Sequence, residues 1–452
     1  MRKLLYRNFR LVHRLSERLR RRLTPGGSLV FGGIIASGIF GIDTQQTLAF
    51  QIFTITASLM LVAVLCTATF RCRLRLQRLL PDYATAGQPL KYRIRVENRS
   101  PVLQQDLLLM DELETRFPEY AEFATARDPH DEKRNWFDRM VGYPRLVSQL
   151  RHRRGGSIPA RPIPPVPAFD RSDLEIEFTP FRRGYLRFSG ASIARPDPLG
   201  LFRALRRFQA DASLLILPHT YRVPRLQLPG SRKYQEGGMT LVSSVGDSQE
   251  FMSLRDYQPG DPMRAIHWPS YAKRGKPVVK EFQDEFFVRQ GLVLDTFVEN
   301  ASLAQFEEAV SVAASFQLAV QQQDALLDLM FVEDRSYRYT SGRGLGSTAN
   351  MLEVLACVQP CRDQPFSCLE DLLMGHAGEI SGLILILLDW DEKRRDLVRR
   401  LRAVGTPVVT FRISAGEDAP APSTVDREPL ITLPAGRVQE YLDAVDWDNL
   451  QL

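Results

Sequence analysis

Hydropathy divides the chain into three regimes. Two uncharged stretches come first, Leu23 to Ile42 with 20 residues and Thr44 to Phe70 with 27, meeting at Asp43-Thr44-Gln45-Gln46. At about 1.5 Å rise per residue, each is long enough to cross a hydrocarbon layer of roughly 30 Å. The pattern predicts a two-helix transmembrane hairpin over 23–70 with a very short turn. Gly33, Ser37 and Gly41 recur every fourth residue and offer a small-residue seam along which the helices can approach. A cleaved signal peptide fits poorly, because its basic segment would be unusually long and a second apolar span follows at once.

Beyond Pro81 the period shortens to two. Leu90, Tyr92, Ile94 and Val96 alternate with polar residues, the pattern of a half-buried strand, and Asn98 to Pro101 reads as a turn. Further strands are expected at Val102 to Met110, Leu174 to Thr179, Gly184 to Ile193 and Ala212 to Leu217, which together predict an antiparallel β-sandwich over 79–220. A charged stretch, about 114–172, interrupts it with Arg151-His152-Arg153-Arg154-Gly155-Gly156 and a Pro-rich run from Ile158 to Pro167. That composition predicts a solvated, mobile insertion.

The third regime begins near Phe286. Apolar runs at Val288 to Leu294, Ala325 to Val332, Leu383 to Leu388 and Val408 to Ile413 alternate with helical patterns at Ala301 to Gln323, Thr348 to Val358 and Glu392 to Val404. Short apolar strands alternating with helices predict a parallel α/β sheet covered on both faces over 286–452. Sites in such sheets form beyond the carboxyl ends of the strands, where Asp295 and Asp389 fall.

Charge and composition sharpen this picture. With 44% hydrophobic and 25% charged residues in 452, the chain is neither a disordered polymer nor collagen-like. Its net charge of +6 conceals an asymmetry: residues 1–78 carry +11, so everything from Leu79 onward carries −5. The soluble bulk therefore does not attract nucleic acid. Nine basic residues in 1–22 precede the expected hairpin and four follow it, whereas the turn has none; both ends and the soluble domains are expected in the cytoplasm. Five cysteines, without a Cys-x-x-Cys pair among Cys357, Cys361 and Cys368, suit a reducing compartment better than a disulfide framework or a zinc site.

Between the two soluble regimes lies the segment 221–285. It contains Leu254-Arg255-Asp256-Tyr257-Gln258-Pro259-Gly260-Asp261-Pro262-Met263-Arg264-Ala265-Ile266-His267-Trp268, followed by Ala272 to Phe282 with Lys280-Glu281-Phe282. Pro259-Gly260 makes a turn, Asp261 can cap a short helix with Pro262 at its first position, and Arg264 and Trp268 then share a face. A Lys273-Arg274-Gly275 turn leads into an extended Val278 to Phe282.

This segment resembles the signature of the bacterial DUF58 family, in which an Arg and an aromatic precede Pro-Gly-Asp, an Arg, Ile-His-Trp and a Lys-Glu-Phe strand. Upstream, Phe181-Arg182-Arg183-Gly184-Tyr185 and Arg195-Pro196-Asp197-Pro198-Leu199-Gly200-Leu201-Phe202 resemble two more of its segments, with Leu199 in an aromatic place. The resemblance implies an inner-membrane-anchored protein with a C-terminal von Willebrand factor A-like domain of Rossmann type. It also implies a MoxR-type AAA+ ATPase as partner, and no enzymatic reaction. The expected fold is thus multidomain: transmembrane hairpin, β-sandwich, signature segment, A-like domain.

Two kinds of chemistry are open to these residues. Arg255, Asp256, Asp261, Arg264 and Lys280 form a charged clamp fixing the sandwich against the A-like domain, with Trp268 packed beneath, or the motif residues Arg255, Asp256, Tyr257, Gly260, Asp261, Arg264, His267, Trp268, Lys280 and Glu281 form a partner-binding surface overlapping it. His267 with Asp256, Asp261 and Glu281 could alternatively act as an acid/base group, although no nucleophile elbow, Walker motif or paired metal signature accompanies it. The A-like resemblance also directs attention to an adhesion-type metal site, Asp-x-Ser-x-Ser, which here reads Asp295-Thr296-Phe297-Val298-Glu299. Asp295, Glu299 and Asp389 supply hard oxygens for Mg²⁺ but two hydroxyls are missing, so the site is degenerate, with weak Mg²⁺ the only cofactor in view. The expected function is a non-enzymatic membrane-anchored scaffold or adaptor working with the ATPase, in contact with the lipid bilayer, in membrane or envelope protein assembly. A membrane-bound hydrolase using His267 and nearby carboxylates is the alternative.

Overall fold

The computed structural model describes residues 2–40, 47–125, 135–136, 142–223, 249–259, 263, 266–284, 289–299, 301–321, 326–341, 348–415, 430–445 and 447. The chain divides into two units, Met1–His219 with Leu352–Cys357 and Thr220–Met351 with Val358–Leu452.

The first unit opens with helix α1 (Arg2–Arg22), followed by two apolar helices, α2 (Pro25–Phe40) and α3 (Thr47–Ala68). Leu48–Ala68 is long and apolar enough to cross a membrane; the other apolar helix is shorter than the 20-residue span read from the sequence. Its start is set by Thr24, whose hydroxyl accepts from the Gly27 N–H at 2.9 Å, with Pro25 in the first turn. Leu23 is left outside the helix, buried and bridged to Phe202. The close approach of α2 to α3 also differs from expectation. The Phe53 ring lies 3.4 Å from where a Cβ at Gly38 would stand, whereas Gly33 has open space around it. Gly41, which the expected seam also includes, lies outside the described residues.

Two sheets follow. β1 (Leu74–Leu79), β3 (Leu90–Asn98) and β6 (Arg171–Phe178) form an antiparallel sheet in the order β1-β3-β6. β2 (Tyr83–Thr85), β4 (Leu107–Leu113), β5 (Arg161–Ile163), β7 (Gly184–Pro196) and β8 (Arg203–Leu217) form the other in the order β2-β8-β7-β4-β5. The alternation read in β3 is what the structure buries: Leu90, Tyr92, Ile94 and Val96 join Leu107, Leu109, Ile176, Phe188 and Ile193 in one core. Asn98 closes the expected turn, its amide donating to the carbonyls of Val102, Val166 and Pro167 while its side-chain oxygen accepts from the Ser100 N–H.

The stretch 114–172 is more structured than a solvated loop. It holds helices α4 (Tyr120–Thr125) and α5 (Tyr143–Arg154) as well as β5. Leu146 and Leu150, four apart on α5, are buried with Tyr6 of α1 and surrounded by Phe9, Phe117, Tyr120 and Phe123. The basic residues that dominate this helix in the sequence mask its narrow apolar face.

In the second unit, β9 (Gln249–Asp256) pairs antiparallel with β10 (Val278–Asp284), and the short helix α6 (Trp268–Arg274) lies between them in the chain. The main sheet comprises β11 (Arg289–Leu294), β12 (Leu326–Val332), β13 (Ser336–Ser341), β14 (Gly382–Leu387), β15 (Val408–Ser414) and β16 (Leu430–Pro434), in the order β13-β12-β11-β14-β15-β16. Every pair is parallel except the edge pair β12–β13. All six residues of β14 are buried, as a strand covered on both faces requires. Val293, Leu383, Leu385 and Leu387 pack with α9 (Ser367–His376) and α10 (Glu392–Ala403). The helix α7 (Leu303–Gln321) also packs on the sheet, with Phe316 against Phe411 at 4.7 Å between ring centroids, and α8 (Thr348–Cys357) follows β13 in the chain. Strand order reverses at β11, which places a crevice beyond the carboxyl ends of β11 and β14.

The root of the apolar helices gives a test. Asp197 accepts from the Leu199 and Phe202 N–H groups at 3.0 and 2.6 Å and shapes a turn whose Gly200 and Leu201 carbonyls accept the Thr24 hydroxyl. A Cβ on Gly27 would stand 1.9 Å from the Leu201 carbonyl oxygen. Gly27→Ala must therefore push α2 off this seat, and a loss of about 1–3 kcal/mol is expected, read as a lower urea midpoint of the detergent-solubilised chain. An unchanged midpoint would show that the seat does not constrain the helix.

Candidate functional site

The signature segment is a two-stranded ribbon with a helical turn. Val278 pairs with Asp256 and Val279 with Arg255, the Tyr257 N–H donates to Pro277, and the His267 N–H donates to Val278. Among its described residues Ile266, Val278 and Val279 are buried. α6 begins at Trp268 with Pro269 in its first turn, and ends at Gly275, which has φ of 65° and donates to Tyr271. Gly260, Asp261 and Arg264, and with them the helix expected at Pro262, lie outside the described residues; so do the side chains of Lys280 and Glu281, although both residues sit on β10.

The expectation that Trp268 packs beneath a clamp is overturned. Its indole is 59% exposed, Tyr271 is 42% exposed, and Met263 is 72% exposed. The two rings meet edge to face, 6.1 Å apart at 89°. The physical reason is local: at the start of a seven-residue helix, Trp268 shares its face with Tyr271, which is itself exposed. Tyr271, three residues after Trp268, was a signal available in the sequence because i and i+3 share a helical face.

His267 lies next to the aromatic pair. Its Nδ1 is 2.7 Å from the Ser270 hydroxyl, a residue the sequence pattern did not single out. Asp256 is exposed, and Arg255 donates to the Asp256 carbonyl at 3.3 Å.

The crevice beyond β11 and β14 is a different environment. Asp295 is fully buried; one carboxylate oxygen accepts from the Phe297 N–H at 3.0 Å and the other from the Leu388 N–H at 3.1 Å and Arg394 Nε at 2.7 Å. Arg394, itself buried at the start of α10, also donates to Asp391 at 2.9 Å and lies over the Phe366 ring at 4.9 Å. Burial pulls the Arg394 pKa down, but the charge and hydrogen bond of Asp295, with Asp391 and Asp389 further out, more than offset this and hold it above its ordinary value. Phe297 is buried and packs edge-on against Phe366, 5.3 Å between centroids.

The three expected metal ligands are not gathered. Glu299 is exposed, and Asp389 accepts from its neighbour Trp390 N–H at 2.7 Å with Arg412 3.8 Å away. Among the described residues no group of three His, Cys, Asp or Glu side chains could hold a metal ion. Asp295 has a cation of its own in Arg394, which the sequence could not distinguish among the basic residues of Glu392–Ala403. The Cys361 thiol donates to the Glu333 carbonyl, and burial pushes its pKa up, away from the reactive thiolate.

Residues 253–423 match a protein-family model described as "Protein of unknown function DUF58". The uncharacterized protein YeaD of Bacillus subtilis (strain 168) is 32% identical over 152 residues, which are 33% of this chain. The chain spans 36% of that relative's length. Among solved structures, a PapD-like domain of human CEP192 is 10% identical, with a TM-score of 0.18 over 32% of this chain and 87% of the other. A GH20 exo beta-N-acetylglucosaminidase from Vibrio harveyi is also 10% identical, with a TM-score of 0.16 over 80% of this chain and 78% of the other. Neither likeness is close enough to describe the fold.

The buried pair gives the second test. Arg394→Met leaves a buried carboxylate without its cation, and a loss of about 3–5 kcal/mol is expected at neutral pH. Removing the carboxylate charge as well should recover part of the loss, so urea melts of Arg394→Met and of Asp295→Asn combined with Arg394→Met check this; a double variant no more stable than Arg394→Met would show that Arg394 acts through packing alone.

Proposed function

As residues 253–423 make this chain a DUF58 family protein, we propose that it is a non-enzymatic, membrane-anchored adaptor whose signature segment docks a MoxR-type AAA+ ATPase. On this reading α2 and α3 form a two-span hairpin in the bacterial inner membrane. The soluble units are cytoplasmic, because basic residues flank the apolar helices on both sides. The second unit contains a von Willebrand factor A-like domain, an assignment supported by the parallel strand order of its main sheet and by Asp295 at the end of β11. The task served is membrane or envelope protein assembly.

The observation that carries the reading is the exposed Trp268–Tyr271 pair with Met263 nearby in the chain. Trp and Tyr dominate the energetics of protein interfaces, and Met adapts to varied partners. The strand-end crevice, by contrast, holds Arg394 and Phe297 where a metal-dependent ligand site would need open coordination, so partner binding is read as metal-independent.

The hydrolase alternative has one contact in its favour, the 2.7 Å approach of Ser270 to His267 Nδ1. The two residues are three apart at the start of α6, so the contact follows from the helical turn itself. Catalysis would require turnover that is lost in both His267→Ala and Ser270→Ala.

Affinity capture from solubilised membranes tests the adaptor. The full chain should retain a MoxR-type ATPase in the presence of chelator. Trp268→Ala should abolish retention while moving the unfolding free energy by less than about 0.5 kcal/mol, as for an exposed residue. No ATPase in the eluate, or retention unaffected by Trp268→Ala, refutes the reading.

A further inference from the structure

The N-terminal helix α1 has three distinct faces. Tyr6, Phe9 and His13 lie on the first: Tyr6 is buried against Leu146 and Leu150, Phe9 packs on the same cluster, and His13 Nδ1 is 3.4 Å from the Tyr143 hydroxyl. Leu11, Val12, Leu15 and Leu19 lie on the second, which follows the i, i+3, i+4 row of a helix. They face outward, Leu11 66% and Leu15 61% exposed. Arg7, Arg14 and Arg18, all exposed, line one border of this leucine row.

An exposed leucine row on a helix fixed to the protein by its other side needs a cover. We propose that this cover is a bilayer surface carrying anionic phospholipid: α1 lies in the headgroup region with the leucine row towards the acyl chains and the flanking arginines on lipid phosphates. Two observations select this occupant. α1 ends at Arg22, and only Leu23 and Thr24 separate it from α2, so the row is tied to the apolar helices. Its 21 residues hold nine basic side chains and a single acidic one, Glu17. A second copy of the helix would bring like charges together, whereas an anionic leaflet supplies the missing countercharge. Long arginine side chains beside an apolar row can keep their stems over the acyl boundary and their guanidiniums in the headgroups.

The inference rests on the reading of α2 and α3 as the membrane anchor, and the test separates the two. The full chain carrying L15W or, separately, L59W in the middle of α3 is placed in nanodiscs of phosphatidylcholine. Parallel discs contain phosphatidylglycerol, with and without chain-brominated lipid as quencher. The four native tryptophans, measured in the unsubstituted chain, give the background. Bromolipid should quench about half or more of the added emission at both positions. At L15W the quenching should rise with phosphatidylglycerol and fall again when Arg14→Gln and Arg18→Gln are added. Quenching at L59W with a water-like, unquenched L15W overturns the inference and leaves the anchor standing. A blue-shifted but unquenched L15W assigns the leucine row to a protein surface and overturns it too. Unquenched emission at both positions overturns the anchor and the inference together. L11W repeats the measurement at a second exposed position and guards against a local distortion.

Discussion

A carboxylate removed from water must keep a cation close, and three aspartates with fully buried side chains impose this on the structure. Asp111, Asp295 and Asp328 each hold arginine. Desolvating one charge alone costs several kcal/mol, and the pair recovers this only with good geometry and further hydrogen bonds. Each site meets that condition differently. Asp111 on β4 is held by Arg78 from β1 and by the Tyr92 hydroxyl from β3, so the pair joins the two sheets through their common core. Asp328 takes Arg289 from β11 and Arg338 and Thr340 from β13, clamping three neighbouring strands. Asp295 takes Arg394 and fixes the start of α10 against the end of β11.

The last of these bears on chemistry. A strand-end aspartate in a parallel sheet is where a cation is expected to bind, and here the cation is part of the chain. An arginine delivers its charge in a planar fork, adds stacking on Phe366, and excludes water together with Phe297. Once the guanidinium is in place, neither an open coordination position nor a free carboxylate oxygen faces solvent at Asp295. The crevice is thereby a packed joint.

What could be read beforehand follows from the range of the interactions involved. The alternation in β3 and the apolar runs of β11, β12 and β14 were legible because burial acts residue by residue along one strand. The edge strand β13, Ser336–Ser341, was not: its pattern is largely polar, and only pairing with β12 defines it. Arg394 could not be singled out, since its role is set by Asp295, distant in sequence. The fold of 114–172 was hidden by the basic residues of α5, whose leucines become meaningful only against Tyr6. Trp268 was misplaced for the opposite reason. Size argued for burial, but the indole sits on a short helix and meets, edge to face, a tyrosine that is itself exposed.

That misplacement has a physical consequence. An exposed indole, phenol and thioether contribute little to folding, and such groups promote unspecific association. The strand-end crevice shows the contrasting treatment, with Phe297 and Phe366 turned inward. Within one unit, then, aromatic residues are sequestered where the sheet can cover them and presented where it cannot. Among the described residues the presented side chains combine two rigid rings with an adaptable Met, a composition that suits recognition better than core packing.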